Sequence, residues 1–250
     1  MHTRNKLLAL LAPEDLARFS SDLRIVEMPL GQVLAEPHEP VQHVYFPHSG
    51  IISYVVEMSD GQMIETGMVG RDGVMGAIQA LDGKISPNRI MCQAPGVASI
   101  LDSDKLRAAC DASPALRAML AKHEQFFIAQ IQQSVGCNAV HLVEPRMCRW
   151  FLRMNDLVGP NLPLTQEFLA QMMGVRRTSV SLVASSMQKA GLISYKRGNI
   201  QLHNIPGLKE ATCECHEAVN TQYEKIFGVK SPRAIADETL SSQLKPAHEH

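Results

Sequence analysis

The sequence predicts an α+β chain: an N-terminal antiparallel β-roll, one long helix, and a C-terminal module of two short helices and a hairpin. Three observations predict it. Between Leu23 and Leu101, short β-rich runs alternate with glycine turns. Between Pro114 and Asn138, apolar residues recur at helical steps without a break. Between Leu164 and His203, two amphipathic helical stretches and a basic hairpin follow one another.

At 250 residues the chain is long enough for one large domain or two smaller ones. Hydrophobic residues at 45% and charged residues at 20% describe a globular protein. The apolar run Leu7 to Ala12 is too short for a signal-peptide core, and no run reaches membrane-spanning length. A cytoplasmic location without membrane contact is the expectation. Six scattered cysteines (Cys92, Cys110, Cys137, Cys148, Cys213 and Cys215) read as reduced thiols. The net charge of −1 conceals a partition. Residues 1–140 hold eleven Lys+Arg against fifteen Asp+Glu, residues 141–204 eight against three, and residues 205–250 five against seven. A positive module between two acidic segments is the electrostatic footprint of nucleic-acid binding.

Taken in order, residues 1–22 predict one or two short helices. Leu7, Leu10 and Leu11 lie in the first, and Pro13-Glu14-Asp15 opens a second with Leu16 and Phe19 inward. Strands follow at Arg24–Met28, His43–Phe46, Ile51–Met58, Met63–Met68, Ile90–Gln93 and Val97–Leu101. Turn sequences such as Ser59-Asp60-Gly61 and Ala94-Pro95-Gly96 separate them, which suits an antiparallel roll. Val74–Leu81 reads as a short helix within it. Asp102-Ser103-Asp104 caps a helix through Ala109, and Ser113-Pro114 opens the long one. On that helix Leu116, Leu120, His123, Phe127, Ile131 and Ser134 form a stripe that reads as a dimer seam, although packing against the roll gives the same stripe. Val143 to Leu157 is a further helix with Met147, Trp150, Phe151 and Met154 as its core face. Pro206 to Phe227 reads as a last amphipathic helix, and 229–250 as a polar tail.

The module between Leu164 and His203 carries the most information. Thr165 is an N-cap with Leu164 as a staple residue and Glu167 at the positive end of the dipole. Leu169, Met172 and Met173 make an apolar stripe, and Gly174 ends the helix. The second helix, Arg177 to Ala190, buries Val180, Val183, Ala184 and Met187 against the first. Thr178, Leu182, Ser185 and Lys189 point the other way, with Ser179 and Ser181 nearby and Arg176 and Arg177 at the helix start. The strands Leu192–Tyr195 and Ile200–His203 flank a basic tip, Lys196-Arg197-Gly198-Asn199. Together these make a winged helix-turn-helix. Its arginines, hydroxyls and wing cations suit base edges and phosphates of double-stranded DNA.

A β-roll, a long helix and a winged helix, in that order, resemble the Crp/Fnr family of bacterial transcription regulators. The likeness covers roughly residues 10–204, and its most specific part is Gly174 to Ile193, GVRRTSVSLVASSMQKAGLI. The resemblance implies a cyclic-nucleotide-binding-like roll at 1–112, a dimerisation helix at 113–138, a DNA-binding domain at 139–204 and a C-terminal helix and tail at 205–250. It implies a homodimer on an operator, and it allows RNA polymerase and an unidentified small-molecule effector as partners. Two departures mark an atypical member. Where the family's best-known readout has Arg-Glu and a second Arg four residues after the Glu, this chain has Arg177, Thr178 and Leu182. Where cyclic-nucleotide members place a Glu after a Gly and an Arg-Ser pair, this chain has Gly76-Ala77 and Arg89-Ile90. Ala77 accepts no ribose hydrogen bond, so tight cyclic-AMP binding is not expected.

Other chemistry is weaker. No cysteine precedes Cys92, which argues against the iron–sulfur cluster of oxygen-sensing members. Cys213 and His216 share a predicted helix face while Cys215 points elsewhere, an incomplete ligand set. His38, His43 and His48 lack metal-site spacing, and the glycines of Gly67–Gly76 read as turn formers rather than a phosphate cradle. No catalytic assembly is visible and no cofactor is expected. The competing function is a ligand-binding module that docks a protein partner instead of DNA. A metal-dependent enzyme on the roll is a distant third.

Overall fold

The computed structural model describes residues 2–83 and 85–232. Most of the expected polar tail lies outside the described residues. Seven strands form the roll: β1 (Arg24–Met28), β2 (Val33–Ala35), β3 (His43–Pro47), β4 (Ile51–Glu57), β5 (Met63–Val69), β6 (Arg89–Ala94) and β7 (Gly96–Asp102). They pair antiparallel in two sheets, ordered β1-β7-β3 and β2-β6-β4-β5. β2 has no counterpart in the sequence reading, because three residues are too few to show alternation. The helix expected at 74–81 is a wider and later feature, a short helical turn from Ala77 that runs into a π-helical stretch at Gln79–Gly83.

The apolar run of β4 has a specific cause. Ile52 and Tyr54 point into the roll with Met28, Met75, Ile90 and Cys92, while Ile51 and Val55 pack on the other side with residues of the C-terminal half. Both faces of the strand are buried, so the polar half of the usual alternation is missing. Short helices α1 (Lys6–Ala9) and α2 (Pro13–Ala17) close one end. Asn5 anchors them, its side-chain amide donating to Pro47 O at 2.9 Å and Gly73 O at 2.8 Å.

α3 (Ser103–Ala112) is capped by Asp102 and α4 (Pro114–Val140) by Ser113, whose Oγ accepts from Leu116 N at 3.0 Å. The stripe expected as a dimer seam on α4 packs inward instead. Leu116 and Leu120 are buried with Leu7, Phe19 and Val44, and the Phe127 ring packs tilted against Tyr54, 4.6 Å between ring centroids. His123 Nε2 accepts from Val74 N at 3.2 Å, Ile131 packs against the roll core, and Ser134 Oγ donates to its own helix at Gln130 O. From Leu116 to Ile131 the stripe is spent on the chain's own N-terminal half, and Ser134 faces Arg149 of the next helix. The large apolar residues left bare on or beside α4, among the described residues, are Ile128, Val135, Val140 and Leu142.

The same packing explains the glycine-rich segment after β4. A Cβ on Gly67 would meet the Phe127 ring at 2.8 Å, one on Gly70 would meet Leu157 at 2.8 Å, and one on Gly73 would collide with His123. These glycines let α4 and the next helix press on the roll, and only Gly76, at φ +88°, answers the turn-forming expectation.

α5 (Val143–Val158) is followed by β8 (Asn161–Leu162), α6 (Gln166–Met173), α7 (Arg177–Lys189), β9 (Ile193–Lys196) and β10 (Asn199–Leu202). β8 completes a three-stranded sheet, ordered β8-β10-β9, and is too short to read from sequence. The last helix, expected as one piece from Pro206 to Phe227, is two. It breaks at Thr212–Glu214 into α8 (Ile205–Ala211) and α9 (Cys215–Phe227), and α9 packs along α4 through Phe126 and Tyr223.

Candidate nucleic-acid interface

The winged module is built as its caps dictate. Thr165 Oγ1 accepts from Phe168 N at 3.1 Å, and Gly174 ends α6 in the left-handed region at φ +62°. Arg146 of α5 donates from Nη2 to Met173 O at 2.7 Å, placing a cation on the open carbonyl end of α6. Nothing in the sequence pattern pointed to that residue. Val180, Ala184 and Met187 bury α7 against α6, while Val183 is half-buried.

The outer face of α7 is open. Arg176 is its N-cap residue, Arg177 its first helical residue, and both are exposed with Thr178, Leu182, Ser185 and Lys189. Leu182 is 75% exposed, a bare apolar side chain amid polar neighbours. Ser179 and Ser181 are half-buried, and Ser181 Oγ donates to Gln166 Oε1 at 2.7 Å. That bond turns Ser181 toward α6. α7 holds no acid; at its start Glu167 of α6 lies 3.4 Å from Arg177 Nε, and Asp60 of the β4–β5 hairpin lines the same cleft.

The wing stands beside this face. Lys196 and Asn199 pair at the end of the hairpin, so the turn itself is Arg197-Gly198 with φ +50° and +78°. Positive φ at both residues is the geometry that matches the twist of a two-residue hairpin. Lys196 and Arg197 are exposed. Gln188, not singled out in the sequence, accepts from Tyr195 N at 2.9 Å through Oε1 and ties the wing to α7.

A second set of contacts, also unseen in the sequence, joins this module to the roll. Trp150, read as a core anchor, is buried, and its indole N–H donates to Glu65 Oε1 at 2.9 Å, with Ser53 Oγ donating to Glu65 Oε2 at 2.8 Å. Desolvation raises the Glu65 pKa, and the two hydrogen bonds and Arg149 only partly oppose it. Arg153 Nη1 is 2.8 Å from Asp72 Oδ2. Burial is the largest influence and works against the Asp72 charge, but the charges and hydrogen bonds around it, Arg153 foremost, together outweigh it and hold that carboxyl below the usual carboxylate range.

Two family models match the chain. The cyclic nucleotide-binding domain matches residues 25–113, and the Crp-like helix-turn-helix domain matches residues 145–211. Together they cover more than half of the chain. The chain belongs to the Crp/Fnr family. No curated protein sequence matches it. Among solved structures it is similar to FixK2 from Bradyrhizobium japonicum (TM-score 0.66, 14% identity, 76% of this chain and 98% of that one). It is similar to TTHB099, a CRP-family regulator from Thermus thermophilus (0.62, 18%, 74% and 95%), and to CLP, the c-di-GMP-responsive regulator of Xanthomonas campestris (0.60, 14%, 77% and 100%). At these identities the likeness carries the fold alone. This Crp/Fnr chain thus has the fold of a DNA-binding transcription regulator, and none of its described helices is long and apolar enough to cross a membrane.

The residues expected to line an effector pocket are scattered in function. Ala77 is fully buried in the cluster of Leu7, Phe19 and Phe46, and Gly76 lies against His43 O. Arg89, at the start of the inner strand β6, pairs with Glu36 at 2.9 Å and Glu57 at 3.3 Å. Met28, Ile52, Met75, Ile90 and Phe127 fill the space between the sheets. His48 hydrogen-bonds Ser99 Oγ at 2.7 Å. The expectation that Cys213 shares a face with His216 fails, because the helix breaks between them. His216 Nε2 turns to Asp156 Oδ2 at 3.3 Å, while Cys213 and Cys215 both turn toward the end of α4.

Proposed function

We propose that the chain is a homodimeric, sequence-specific DNA-binding regulator whose recognition helix is α7. The observation that carries this reading is the outer face of α7, exposed along its length, free of acid and flanked by the wing cations. Arg177 and Leu182 read bases, with Thr178 and Ser185 beside them, while Arg176, Lys189, Lys196 and Arg197 hold phosphates. Leu182 limits its position to an apolar contact such as a thymine methyl. Residues 1–112 act as the sensor, 113–138 as the pairing helix, 139–204 as the reader and 205–250 as an appended brace. Ile128 and Val135, seven residues apart on α4, form the pairing face. The signal is not cyclic AMP: the packed roll, the buried Ala77 and the Glu36 and Glu57 pairs on Arg89 support this. It passes to the reader through the contacts of β5 and its following loop with α5.

Selection of duplexes from a random pool tests the proposal. The expected product is a two-fold sequence with half-sites one helical turn apart. No enrichment, with no mobility shift at low salt, would favour docking to a protein partner.

A further inference from the structure

Four side chains outside the DNA-reading face converge at the junction of α4, α5, α8 and α9. Cys137 is in the last turn of α4, and His141 caps that helix four residues on, so both share one helix face. Cys213 lies in the break between α8 and α9, and Cys215 opens α9. One ligand atom from each falls within 4.8 Å of all the others. The three cysteines are buried and His141 is half-buried.

The spacing is that of a coordination sphere. Zinc–sulfur bonds of about 2.3 Å and zinc–nitrogen bonds of about 2.0 Å at tetrahedral angles set neighbouring ligand atoms roughly 3.5–3.8 Å apart. Cys137 Sγ is 3.6 Å from Cys213 Sγ, and Cys215 Sγ is 3.6 Å from His141 Nδ1. A disulfide between Cys137 and Cys213 would use two of the four groups and leave the other two aimed at the same point. A polynuclear iron–sulfur cluster needs a wider cage than this one.

The surroundings are those of a metal ligand set. His141 presents its other nitrogen, Nε2, to Glu214 Oε2 at 3.3 Å, the carboxylate contact that orients a metal-bound imidazole. Gln133 Nε2 donates to Cys215 Sγ at 3.1 Å, as a donor does to a thiolate. Arg146 and Arg149 supply positive charge beside the cage, which offsets the single net negative charge of three thiolates on a divalent ion.

We propose that Cys137, His141, Cys213 and Cys215 form a closed, tetrahedral structural site for one zinc ion. No position is left open for water, so the site clamps and does not catalyse. The ion would bolt the entrance of the winged module, at the end of α4, to its exit, at the start of α9, and so hold the reader's orientation on the long helix. Its effect on DNA affinity rests on the proposed function; the metal site itself does not.

The full-length chain, purified under reducing conditions without chelator, is assayed for metals and for X-ray absorption at the zinc edge. The expected result is about one zinc per chain with three sulfur ligands and one nitrogen ligand. Cobalt exchanged into the same protein should give the intense visible bands of tetrahedral thiolate coordination. Cys213→Ser should lower zinc occupancy at least about tenfold, whereas Cys92→Ser should retain it. Because the wild-type spectra stand alone, a variant that fails to fold leaves the test intact. Zinc below about a tenth of an equivalent after reconstitution, octahedral cobalt, an iron chromophore, or a Cys137–Cys213 disulfide in place of metal would each overturn the site. DNA affinity is measured separately: if zinc is present and its removal leaves affinity unchanged, the site stands and the clamp on the reader is refuted.

Discussion

Arg153 on α5 and Asp72 in the loop after β5 form a buried ion pair, 2.8 Å apart, across the boundary between roll and DNA-binding module. Removing the arginine leaves a carboxylate in a dry site. Arg153→Ala should therefore cost about 3–5 kcal/mol in urea denaturation at neutral pH, and Asp72→Asn with Arg153→Met should recover most of the loss. Because Arg153 depresses the Asp72 pKa in the folded chain, its contribution is present above the usual carboxylate range and fades as pH falls through the folded value. Equal acid sensitivity of wild type and double variant would count against this assignment.

Glu65 has the opposite sign. Burial raises its pKa, so the folded state holds the proton more tightly than the unfolded chain. Stability from this group is fullest below the ordinary carboxylate range and declines as pH rises toward the folded value. Glu65→Gln keeps an acceptor for Trp150 and should remove that decline. Stability-against-pH curves for the two proteins should converge in acid and separate above it; parallel curves would sink the idea.

The two faces of α4 should separate pairing from folding. Ile128→Asp with Val135→Asp should shift sedimentation from dimer to monomer while the helical signal is kept. Leu120→Ala, in the core against the roll, should cost about 2–5 kcal/mol and leave the dimer intact. A dimer unaffected by the double aspartate would place the pairing surface elsewhere.

Much of this was legible in the sequence, for local reasons. Thr165, Gly174 and the Arg197-Gly198 turn announce caps and turns through neighbours a few residues away. The strand runs of the roll survive because turns bound them. What failed depends on partners far along the chain. The Leu116 to Ile131 stripe has the period of any buried helix face, and only the fold says that the chain's own N-terminal half covers it. The break at Thr212–Glu214 follows no proline or glycine, so Cys213 and Cys215 read as helical residues pointing apart. Cys137 and His141 lie more than seventy residues earlier, too far for spacing to link them. Arg153 with Asp72, and Trp150 with Glu65, are long-range pairs of the same kind.

Glu167 sits 3.4 Å from Arg177 Nε on the reading surface, both well exposed. Glu167→Gln should strengthen binding to DNA of any sequence and most at low salt, since it removes a negative charge from a site facing phosphates. A sequence-dependent gain would instead mean that Glu167 contacts bases.

Sequence-specific binding requires α7 to enter the major groove, and Arg177 is the side chain that reports it most directly. Binding of wild type and Arg177→Ala to the selected operator is measured by fluorescence anisotropy across a salt series. The expected result is a loss of about 1–3 kcal/mol with preference relaxed at one base pair of each half-site and the salt slope nearly kept, whereas Lys196→Ala should flatten that slope for every sequence. An Arg177→Ala protein with wild-type affinity and wild-type preference would contradict the assignment of α7 as the reading helix.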